Sequence, residues 1–127
     1  MSTSTTTTAA PPPVGHYPHA RRVGQLLFLS GIGPRSPRGE PIPAGIESQC
    51  RAVFANVRSV LVAAGSSWER LVDVTVFLTD IPNDFATFNR LWAEYFPVDP
   101  PCRTTVEVTR LPTPIAFELK CIATVED

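Results

Sequence analysis

Two absences narrow this sequence first: it holds few metal-binding side chains and no long apolar run. Cys50, Cys102 and Cys121 are odd in number, and no CxxC or Cys/His cluster occurs. A disulfide framework and a zinc site are therefore not expected, and a reducing compartment fits best. The two histidines, His16 and His19, have Pro18 between them. A metal site also needs further ligands, so no metal is expected. No apolar stretch reaches the ~20 residues that span a bilayer. The opening MSTSTTTTAAPPP lacks the charged and apolar regions of a secretory leader, which leaves the cytoplasm as the expected location. Eleven Lys and Arg against twelve Asp and Glu give a formal charge of −1. No global basic field is present to attract nucleic acid or a membrane surface. GIGPRSPRG lacks the spacing of a phosphate loop, and Pro34 removes a backbone donor, so a nucleotide site is not expected. No GxSxG elbow supports a serine nucleophile.

What remains suits one small domain. The chain has 127 residues, 43% of them hydrophobic. A domain of this size buries only about 70% of its unfolded surface, so a partner subunit is expected to complete part of the core. Residues 1–13, Thr/Ser followed by three prolines, read as a flexible tail, and 14–127 as the folded domain. Residues 17–23 and 26–31 read as strands around a Gly24-Gln25 turn. The Gly- and Pro-rich stretch 31–45 reads as a long loop of the kind that carries function. Ile46, Cys50, Val53, Phe54, Val57, Val60, Leu61 and Ala64 recur at helical spacing, and Gly65 stops the helix. A strand follows at 71–79, with Val72, Val74, Val76 and Leu78 on one face. Asn83 or Asp84 is the expected cap of a second helix, striped by Phe85, Phe88, Leu91, Trp92 and Tyr95 and ended by Pro97. Strands at 102–110 and 115–125 close the chain. The order β-β-α-β-α-β-β predicts two helices on one face of a mixed sheet. The uncovered face is expected to carry Arg103, Thr105 and Glu118, and to be buried against copies of the chain.

Arg103 draws attention because Pro100-Pro101 place it stiffly at a strand start. A guanidinium binds a carboxylate through two parallel hydrogen bonds. The plainer alternative is an ion pair with Glu107 or Glu118. Glu118 is a candidate to orient or deprotonate a water. Ser30 and Thr105 offer hydroxyls, but neither has a His/Asp neighbour that would make it a nucleophile. Arg21, Arg22, Arg35 and Arg38 form either a solvated rim or a second anion handle.

Read together, these stretches resemble the RidA (YjgF) family of reactive-intermediate deaminases. CRTTVEVTRLP (102–112) is similar to its arginine-before-VEV signature. GHYPHARRVGQLLFLSG (15–31), LVDVTVFLTDIPNDFATFNRLWAEYF (71–96) and FELKCIA (117–123) resemble its hairpin, its strand with second helix, and its closing strand. The resemblance covers about residues 14–125. It implies a chorismate-mutase-like α+β fold and a homotrimer with sites between subunits. It implies hydrolysis of enamine or imine carboxylic acids, with release of ammonia and without a cofactor. By position, Arg103 matches the carboxylate-binding arginine and Glu118 the water-positioning glutamate. Tyr17, Ser30, Gly31 and Asn89 match residues lining the cleft, and Thr105 stands where many members have cysteine. The run SGIGPRSPRG, and His19 in place of a frequent glutamine, resemble the 2-aminomuconate deaminase branch, which acts in aromatic-ring degradation. Its diacid substrate would suit a second cation, for which Arg35 is favoured over Arg21 and Arg22. The alternatives are a general scavenger of 2-aminoacrylate and related imines, or a non-enzymatic metabolite-binding or chaperone-like trimer. A ribonuclease reading lacks a basic stripe and a histidine pair.

Overall fold

A computed structural model describes residues 2–126. Six strands form one sheet: β1 (Ser2–Thr5), β2 (Ala20–Val23), β3 (Leu26–Leu29), β4 (Leu71–Leu78), β5 (Cys102–Glu107) and β6 (Phe117–Thr124). Two α-helices, α1 (Ile46–Ala63) and α2 (Ile81–Tyr95), and a short 3-10 turn at Trp68–Arg70 complete the described fold. The strand order is β1-β2-β3-β6-β4-β5. Only β4 and β5 run parallel; the other pairings are antiparallel. This is the expected α+β arrangement, a mixed sheet with both helices on one face.

The apolar alternation of β6 decides which face is covered. Phe117, Leu119, Cys121 and Ala123 are buried, whereas Glu118, Lys120, Ile122 and Thr124 are only half-buried. The covered face meets Phe54 of α1 and Phe88 of α2, whose rings contact Phe117 at centroid distances of 6.0 and 5.3 Å. Burying each such ring contributes about 1.5–3 kcal/mol. On the open face Leu26, Phe28 and Val106 stay exposed.

Local chemistry sets the ends of the elements. Gly24 takes φ 62 between the paired Val23 and Leu26, as a tight two-residue hairpin requires. Helix α1 ends as expected at Gly65, φ 83: Gly65 N–H donates to Val62 and Ser66 N–H to Leu61.

Four expectations need correction. The expected tail is partly built into the sheet: Ser2–Thr5 pairs with Ala20–Val23, because Thr and Ser suit an exposed edge strand. Helix α2 is capped by Asp80, whose carboxylate accepts from Asn83 N–H, and not by Asn83 or Asp84. The helix starts that early because Pro82 is tolerated in a first turn, where its missing N–H would be unpaired anyway. Val72 does not share a face with Val74, Val76 and Leu78; the ladder slips between Leu71 and Asp73, and Val72 is exposed. Arg103 and Thr105 do not lie on the open face. They pair with Val74 and Val76, which point toward the helices. The strand expected over 102–110 ends at Glu107, and the face that Arg103 and Thr105 share turns inward at the sheet edge.

Candidate active site

The candidate residues fall into two groups on opposite faces of the sheet. The first surrounds Glu118 on the open face. β3 runs through Ser30 and Gly31 into Ile32, which pairs with Leu119 through two hydrogen bonds of 2.8 and 3.0 Å. That pairing lays Gly31 against Glu118. A Cβ on Gly31 would stand 2.1 Å from Glu118 Oε1, so any side chain there would displace the Glu118 carboxylate. A small cleft beside Glu118, about 50 Å³, is lined by Tyr17, Gly31, Arg35 and Thr113 among others. Ser30 lines the adjoining cleft, and its hydroxyl donates to the Pro18 carbonyl at 2.7 Å. Burial pushes the Glu118 carboxyl above its ordinary pKa, and the Arg35 charge opposes that rise. A carboxylate so placed is nearer the working range of an acid–base group than an exposed one.

The loop that carries Arg35 is fixed from beneath. Asn56 Nδ2 on α1 donates to the Gly33 and Arg35 carbonyls, both at 2.9 Å. Gln49, two turns earlier, donates to the Pro43 carbonyl and accepts from Ala116 N–H. Sequence reading passed over both residues. The signal was there: two amides seven positions apart on an otherwise apolar helix stripe, both buried.

The second group surrounds Arg103 on the helix face. Its guanidinium lies over Phe88 (5.1 Å), Trp92 (5.2 Å) and Phe85 (5.8 Å). Asn89, exposed, shares the α2 stripe with these three rings. Burial lowers the Arg103 pKa, and no charge partner offsets it. Among the described residues no carboxylate comes within ion-pair distance of Arg103. Glu107 is occupied at the start of α2, where it accepts from Ile81 N–H at 2.8 Å. Glu118 points from the other face. Neither partner of the structural ion-pair reading is therefore available. Close by, Thr105 Oγ1 is buried and has no hydrogen-bond partner among the described residues.

Among the described residues no group of three His, Cys, Asp or Glu comes together as a metal site. His19 is spent on the backbone: Thr7 N–H donates to Nδ1, and Nε2 donates to the Pro11 carbonyl. Of the other arginines, Arg22 Nε donates to Gly24 at the hairpin turn, and Arg38 pairs with Glu40. Arg35 alone of the four lines the Glu118 cleft. Larger clefts, of about 310 and 420 Å³, contain none of the candidate residues. One chain thus holds an unpaired cation, a carboxylate of raised pKa and a close-approach glycine, but not on one surface.

Comparison with known proteins is consistent over most of the chain. The family model described as Endoribonuclease L-PSP matches residues 7–125. A RutC family protein of Pyrococcus horikoshii is 42% identical over 114 residues, covering 89% of this chain and 90% of that one. The Escherichia coli K12 protein named "Putative reactive intermediate deaminase TdcF" is 38% identical over 116 residues, 89% of each chain. The crystal structure of E. coli TdcF with bound serine superposes with a TM-score of 0.91 at 35% identity, covering 98% of this chain and 99% of that one.

Proposed function

The chain belongs to the Endoribonuclease L-PSP family, the RidA and YjgF group that its sequence resembles, and on that premise we propose that it is a hydrolytic deaminase of enamine and imine carboxylic acids. The observation that carries this reading is Arg103, a half-buried guanidinium with aromatic rings beneath it and no carboxylate partner among the described residues. A cation held ready and unpaired suits an anionic ligand. The amino acid bound to TdcF, serine, carries such a carboxylate.

Arg103 and Glu118 point from opposite faces of one sheet, so the proposed site draws them from two copies of the chain. The open face, with Leu26, Phe28 and Val106 exposed, would be covered in that assembly. We take the assembly to be a homotrimer, as the resemblance implies. Arg103 and Asn89 come from one copy; Glu118, Tyr17, Ser30, Gly31 and Arg35 come from its neighbour.

The chemistry then balances simply. The enamine tautomerises to an imine, which is already electrophilic, so no cofactor is invoked. Arg103 holds the carboxylate and fixes the imine carbon, lowering the entropic barrier. Glu118 takes a proton from water as its oxygen bonds to that carbon. It returns that proton to the nitrogen, onto which the C=N π pair has moved, giving the carbinolamine. It then carries the hydroxyl proton to the nitrogen as the C–N bond breaks and C=O forms, and ketone and ammonia leave. Acid–base help of this kind supplies about 10²–10⁴-fold.

The substrate within this class is proposed to be 2-aminomuconate, in aromatic-compound degradation. Arg35 beside the Glu118 cleft supports it, as a second cation for a second carboxylate. A general 2-aminoacrylate scavenger would offer no second carboxylate for Arg35 to bind. RNA cleavage is not favoured, because His19 commits both ring nitrogens to the backbone. Ammonia release from freshly generated 2-aminomuconate, beside the imine of a simple amino acid, tests the reading. Turnover that persists in Arg103→Ala would favour the non-enzymatic, binding alternative for this site.

A further inference from the structure

The cleft that adjoins the Glu118 cleft, and shares Tyr17, Gly31, Gly33 and Arg35 with it, has a wall that is not part of the sheet. Pro11 and Pro13 line that wall from a strap running from Thr7 to Pro13. The three prolines at 11–13 have no N–H to donate, so this strap cannot join a ladder. Its carbonyls can only accept, and the donors must come from elsewhere. His19 supplies one. It is 3% exposed, accepts from Thr7 N–H at 3.1 Å through Nδ1, and donates from Nε2 to the Pro11 carbonyl at 2.7 Å. The ring therefore holds both ends of the Thr7–Pro11 segment, as its Nε2–H tautomer. Arg35 supplies the next donor, to the Pro12 carbonyl. Ser30 N–H donates to the His19 carbonyl at 2.9 Å, which ties the same residue to the Ser30-Gly31 edge of the cleft.

We propose that His19 is a positioning residue for this site: it clamps the Thr7–Pro13 strap on the Arg35 loop, and the strap sets where the Arg35 guanidinium sits beside Glu118. The inference rests on the deaminase reading and extends it to a residue that touches no substrate. His19 acts through two backbone bonds, so a side chain with one donor and one acceptor can replace it. Glutamine has both; alanine has neither.

The test combines hydrogen exchange with steady-state kinetics on the full chain, using a simple amino-acid imine and 2-aminomuconate. His19→Ala is expected to speed Thr7 amide exchange by about tenfold or more and to raise KM by about fivefold, the loss of one to two net hydrogen bonds. Its kcat should change by less than about twofold, as for lost uniform binding. His19→Gln should recover most of both effects. Arg35→Ala should raise KM for 2-aminomuconate in the native background but add little in His19→Ala, as coupled residues do. If His19→Ala does not fold, Thr7→Pro removes the same N–H without opening the core and should reproduce the KM effect. Rapid Thr7 exchange with KM unchanged would overturn the proposal, as would full additivity with Arg35→Ala. Should the native protein release no ammonia at all, the deaminase reading fails. The Kd for pyruvate, a probe of 2-oxo acid binding, then replaces KM: an unchanged value in His19→Ala overturns the clamp, and a raised one supports it.

Discussion

The two halves of the site are built in opposite ways. The Glu118 half is made of loops and strand ends held by backbone hydrogen bonds: Ile32 to Leu119, Asn56 to Gly33 and Arg35, His19 to Pro11. Its frame of backbone and amide groups is paired, and its cleft is small. The Arg103 half stands on a strand edge and a helix face, with a guanidinium lacking a counter-ion and a buried hydroxyl lacking a partner among the described residues. Buried polar groups are nearly always paired, so an unpaired set marks where something else binds. The comparison teaches that the loop half is held by its own hydrogen bonds, whereas the strand half keeps a cation and a hydroxyl that the described residues leave unpaired.

The comparison breaks first at Arg103. Arg103→Ala should lower kcat/KM by about 10³-fold or more, and Arg103→Lys should recover little, because a point charge does not reproduce a planar fork. Steady-state ammonia release measures both. Glu118→Gln should cost about 10²–10⁴-fold, mostly in kcat, since the loss is of proton transfer. Gly31→Ala should cost about tenfold to a hundredfold, because its Cβ falls 2.1 Å from Glu118 Oε1 and the carboxylate must move. A crystal structure of that variant checks the displacement, and native activity would contradict the close-approach account.

Acidity sharpens the contrast between the halves. Glu118 carries a raised pKa that Arg35 pulls down. The rate should fall as pH drops through that pKa, as the active carboxylate takes a proton. Arg35→Ala removes the opposing charge, so the acid limb of kcat/KM should move to higher pH. Movement to lower pH would contradict the electrostatic role of Arg35. The smallest effect belongs to the other half. Thr105→Val removes the orphan hydroxyl and should change stability little or raise it by about 0.5–1 kcal/mol, read by thermal unfolding.

Much of this was legible from residue patterns. The period-3.6 stripes of α1 and α2 and the alternation of β6 define the layers, and Gly65 marks its helix end. The side to which β5 turns its polar face was not legible. Period two shows that Arg103 and Thr105 share a face but not which one; the parallel pairing with Val74 and Val76 decides it. The bulge at Val72 and the early start of α2 depend on tertiary pairing and on Asp80, ahead of a proline that locally suggests a later start. The separation of Arg103 from Glu118 is a property of the sheet, and no spacing in the sequence reveals it.

Subunit mixing tests the central claim most directly. Arg103→Ala and Glu118→Gln proteins, each inactive alone, should regain activity when unfolded together and refolded as mixed oligomers. About a quarter of the sites would then unite an intact Arg103 with an intact Glu118 from a neighbour. Recovery toward that fraction is the predicted result. Mixed oligomers that form, verified by mass spectrometry, yet stay inactive would contradict a site shared between two copies.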